Sequence, residues 1–174
     1  MIDAVTSPFV AWENFYVIIG SSAAGLTGLM FVVVSLRSGP TVRRSTAAAR
    51  AFLTPTVVFF TTIVIVSATM TMPPPPRPIL GGLLAAGGVA ALVYMAITRV
   101  HSQWRRSNLD RPDWFWYAGL PILGYVLLTS AGVGLLAHVD GALYLVGATM
   151  ILFLVVGIRN AWDLVLWITA QPPS

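Results

Sequence analysis

Five stretches of the 174-residue chain are almost wholly apolar, and nearly every charge falls between them or at their edges. They cover about 13–36, 51–72, 79–98, 115–137 and 142–158. Each is too long for an ordinary strand. Runs of about 17–24 apolar residues read as transmembrane helices, since about 24 residues at 1.5 Å each reach roughly 36 Å and a bilayer core is about 30 Å thick. The pattern predicts an all-α integral membrane protein, a single bundle of five transmembrane helices.

The first stretch carries the most informative face. On a helix, Gly20, Ser21, Ala24, Gly25, Thr27 and Gly28 share one side, while Ile18, Leu26, Leu29, Val33 and Leu36 share the other. One side is smooth and the other bulky. In lipid, burial of apolar surface gives helices no reason to associate, so close backbone approach along small residues takes over that task. Gly20, Ala24, Thr27 and Gly28 are therefore the expected packing or pore-lining positions of a hub helix. Trp12, Phe15 and Tyr16 stand where an interfacial aromatic anchor belongs.

In the second stretch, Thr54, Thr61, Thr62 and Thr69 lie roughly on one face. Their hydroxyls can bond carbonyls of the preceding turn, bridge helices, or line a path, and back-bonding is the first expectation. Prolines at 73–76 and 78 form a stiff spacer before the third stretch. There Gly82, Ala86 and Ala90 repeat the small-residue ridge, which makes the first and third spans natural packing partners. The fourth opens with Trp114, Trp116 and Tyr117, and it carries Pro121 and several glycines that keep it slender and open to kinking. The turn at 138–141 is so short that the fourth and fifth spans must form an antiparallel hairpin. The remainder, 159–169, either continues the fifth helix, with Arg159 reaching back to headgroups and Asp163 four residues on as its partner, or lies along the interface.

Composition agrees with this pattern and adds detail. The chain is 57% hydrophobic and 9% charged, against about 25% charged for a soluble domain, and its mean hydropathy is +0.82. Little length is left for a soluble module on either side, so function is expected in the bundle or its loops. All ten basic residues are arginine, which together with the Ala, Gly and Val content points to a GC-rich bacterial genome. There is no cysteine, which excludes disulfides, thiolate nucleophiles and cysteine metal sites. The residues before Trp12 hold Asp3 and no basic side chain, so no cleaved signal is expected.

The arginines also set the expected topology. Four follow the first span (Arg37, Arg43, Arg44, Arg50) and four follow the third (Arg99, Arg105, Arg106, Arg111), while the other connections hold only Arg77. Basic loops stay on the cytoplasmic side, which puts the N-terminus outside and the C-terminus inside a bacterial inner membrane. Arg43, Arg44, Arg105 and Arg106 are also candidate contacts for lipid headgroups or an acidic partner surface, at about 1 kcal/mol per basic residue. The net charge of +4 follows the topology, so nucleic acid is not expected as a partner.

No chemistry stands out. Ionisable residues deep in a span betray catalysis or proton coupling, and Glu13 and Arg159 fall only near predicted ends. His101 and His138 belong to opposite sides of the membrane and have no companions at metal-ligand spacing. Ser21 and Ser22 have no base at matching depth, and no phosphate-binding loop is present. The segment 129–134, TSAGVG, lacks the aromatic and half-helix of a potassium filter. The stretches FYVIIGSSAAGLTGLMFVVVSL and IRNAWDLVLW resemble small bacterial membrane proteins in general terms, with no named family and no function carried over. The expectation is a multi-pass, non-enzymatic membrane subunit without cofactor or metal, an accessory or scaffold component that contacts lipid and either its own copies or other membrane subunits. The alternative is a small homo-oligomeric channel lined by Gly, Ser and Thr of the first two helices.

Overall fold

A computed structural model describes residues 8–36, 46–73, 77–103 and 115–169 of the chain. Every regular element among them is helical: α1 (Pro8–Leu36), α2 (Thr46–Thr71), α3 (Arg77–Gln103), α4 (Leu120–Leu136) and α5 (Ala142–Thr169), with a π-helical turn at Phe115–Gly119 leading into α4. The protein is all-helical. Segments Ala11–Val33, Arg77–Ile97 and Ala142–Leu166 are long and apolar enough to cross a membrane, and Thr56–Thr71 and Leu120–Leu136 are shorter apolar helices.

Prolines mark where helices begin. Pro8 opens α1, Pro78 is the second residue of α3 and Pro121 the second of α4, positions where a missing N–H costs least. Pro121 also accounts for the π turn. It offers no N–H to the Tyr117 carbonyl and its ring crowds that oxygen, so the backbone widens just before it. The fourth stretch, expected as one helix over 115–137, is thus divided at Gly119. At the other end of the chain α5 continues without a break to Thr169, and Arg159 Nε stands 4.0 Å from Asp163 Oδ2.

Two compact units divide the chain, and α5 contributes to both: Met1–Pro73 with Leu154–Ser174, and Pro74–Phe153. In the first unit Tyr16, Ile19, Ala23 and Met30 are the buried apolar residues among the described side chains of α1, and their spacings of three, four and seven are those of a coiled-coil seam. They share the core with Phe60, Ile63 and Met70 of α2 and with Val156 and Leu164 of α5. Gly20 brings α1 close to α2, since a Cβ there would lie 2.7 Å from the Ser67 Cβ.

The second unit is held by backbone approach. A Cβ on Gly81 would stand 2.7 Å from the Gly132 carbonyl oxygen, and one on Gly88 would stand 3.1 Å from the Tyr125 oxygen, so α3 and α4 run antiparallel with little between their backbones. The α4–α5 hairpin follows the short turn as the sequence predicts. Gly134 lies opposite Ala142, Gly124 lies against the Phe153 ring, and the Tyr125 and Phe153 ring centroids are 4.7 Å apart.

The turn itself is a Schellman closure. Val139 N–H donates to the Gly134 carbonyl at 2.8 Å and His138 N–H to the Leu135 carbonyl at 3.2 Å, with His138 at φ 58°, where glycine is the usual occupant. His138→Gly is therefore expected to stabilise the protein by up to about 1 kcal/mol, read as a raised melting temperature in detergent. A drop would show that the imidazole, whose Nδ1 is 3.1 Å from the Leu136 carbonyl oxygen, contributes more than the strain costs.

The outward faces are apolar too. Ile18 is 66% exposed, Phe31 65% and Tyr144 70%, and large aliphatic side chains are exposed along every helix. Water would penalise such surfaces and hydrocarbon would not, which supports a membrane protein.

Candidate functional site

The sequence singled out the small face of α1, and the structure divides it. Gly20 is packed against α2 and Thr27 is half-buried, whereas Ser21, Ala24, Gly25 and Gly28 face outward. A Cβ placed on Gly25 or Gly28 would meet no other atom within 4 Å. The residues that line the inner seam instead, Tyr16, Ile19, Ala23 and Met30, carry no small-residue signature apart from Ala23. On α3 the same division recurs. Gly81 and Gly88 take the close approach to α4, while Gly82 and Gly87 have nothing within 4 Å and Ala86 and Ala90 are exposed. Each unit thus carries one small-residue face that its own helices use and a second that they leave open.

Of the α2 threonines that the sequence singled out, Thr62 and Thr69 follow the back-bonding expectation. Thr62 donates to the Val58 carbonyl at 2.8 Å, and Thr69 donates to both Ile65 and Val66 carbonyls at 2.8 Å. Thr61 is exposed, and the side chain of Thr54 lies outside the described residues. Ser21, Ser22 and Thr27 likewise donate to carbonyls of their own helix. Hydroxyls turned onto the helix backbone leave an apolar surface outward.

The polar groups that do reach the interior are ones the hydroxyl stripe did not include. Thr56, Ser67 and Asn160 are buried in the first unit, and Tyr16 there is fully enclosed. Among the described residues, Tyr16 Oη, Ser67 Oγ and Asn160 Oδ1 have no hydrogen-bond partner. A buried orphan of this kind costs about 1–3 kcal/mol. Ser67→Ala is accordingly expected to be neutral or to stabilise by up to about 1 kcal/mol in a detergent melt. A loss exceeding about 1 kcal/mol would show that Ser67 Oγ is hydrogen-bonded in the membrane. Ser67 carried no signal of its own in the sequence, although it is the side chain that Gly20 faces.

Charge is sparse. Arg159 and Asp163, an i,i+4 pair on α5, fall within the apolar segment Ala142–Leu166, which runs past the expected end of the fifth span at residue 158. Arg43, Arg44, Arg105 and Arg106 lie outside the described residues. Among the described residues no group of three or more His, Asp or Glu side chains could hold a metal ion.

An apolar groove of about 200 Å³ opens in the first unit between α1, at Leu26, Leu29 and Met30, and α5, at Ala161, Trp162 and Val165. Comparison of the chain with family models, curated proteins and solved structures finds no match to any of them.

Proposed function

We propose that the protein is a multi-pass subunit of a bacterial inner membrane, with five crossings, an external N-terminus and a cytoplasmic C-terminus, and that it works by association through its open small-residue faces. The observation that carries this reading is the unused pair of ridges, Ser21–Ala24–Gly25–Gly28 on α1 and Gly82–Ala86–Ala90 on α3. Glycine in a helix interior costs about 1 kcal/mol relative to alanine. A glycine whose Cβ position has nothing within 4 Å among the described residues is best explained by a neighbour's backbone at that point, as small-residue faces provide in lipid. The inward hydrogen bonding of the hydroxyls fits a scaffold or accessory component.

The test is native mass spectrometry of the protein taken from its own membrane in mild detergent. Stoichiometric companions would identify an accessory subunit. A homo-oligomer of one fixed size would favour the second reading, a small channel, for which exposed Thr61 on α2 is the specific support. Thr61→Val should then change conductance in liposomes. Orientation is testable directly because the chain has no cysteine. A single cysteine replacing Asp140 should react with an impermeant thiol reagent from outside intact cells, and one replacing Arg105 should react only after lysis. The reverse pattern would invert the topology.

A further inference from the structure

We draw no further inference here: the strongest candidate, the apolar groove between α1 and α5 in the first unit, carries nothing, because nothing in the structure shows what covers it.

Discussion

Gly132→Val is expected to be the most damaging single substitution in the second unit, lowering stability by at least about 3 kcal/mol. A Cβ at this position would lie 2.7 Å from the Gly81 carbonyl oxygen and 2.9 Å from the Ala85 Cα, and it would overlap the Ala85 amide nitrogen. All three atoms are backbone. A clashing side-chain tip can rotate away, but a backbone atom moves only if its helix moves, so α3 and α4 must separate along their whole contact. The gain of about 1 kcal/mol that a helix obtains on losing a glycine cannot offset that displacement. The matched control is Gly82→Val, one residue from Gly81 on the same helix, where nothing lies within 4 Å. Equilibrium unfolding in mixed micelles should show a large loss for Gly132→Val and a change within about 0.5 kcal/mol for Gly82→Val. Equal losses would mean that α3 and α4 are not held by this contact.

That contrast explains how far the sequence could be read. Helix positions were legible, because length, hydropathy and proline placement act locally: the spans expected at 51–72 and 79–98 fall within or close to α2 at Thr46–Thr71 and α3 at Arg77–Gln103. Proline also limited the reading at one point. Pro121 signalled a possible kink, but the form it takes, a π turn over Phe115–Gly119, depends on how the freed Tyr117 carbonyl is accommodated.

Which face of a helix looks inward was much less legible. In water a polar face betrays the outside, whereas in lipid both faces can be apolar and hydropathy loses its direction. On α1, Ile18 and Leu29 are as hydrophobic as Ile19 and Met30, yet the first pair is exposed and the second buried. On α3 the regular four-residue spacing of Gly82, Ala86 and Ala90 drew attention, while the contact with α4 uses Gly81 and Gly88, seven apart. A glycine says that something comes near it. It does not say whether that something belongs to the same chain, and buried Ser67 and Asn160 were invisible for the same reason.

Gly28→Leu should resolve that ambiguity, and its expected effect is on association alone. A Cβ on Gly28 meets nothing within 4 Å, so leucine there leaves the helical circular dichroism and the melting of the isolated chain unchanged or slightly improved, since leucine is the better helix former. If the Ser21–Ala24–Gly25–Gly28 ridge seats a neighbouring helix, the added isobutyl group forces the two backbones apart and weakens association at least tenfold, about 1.4 kcal/mol. Ala24→Leu, one turn away on the same face, should act in the same direction. Gly20→Leu is the necessary counterpart: its Cβ would lie 2.7 Å from that of Ser67, so it should damage the α1–α2 seam and the fold of the monomer itself. Sedimentation in detergent and native mass spectrometry separate these outcomes, because one variant changes the assembly at constant fold and the other changes the fold. A Gly28→Leu protein that melts early would place this face inside the chain's own packing. One that melts normally and assembles normally would remove α1 as the interface and leave the Gly82–Ala86–Ala90 ridge of α3 as the surface to test.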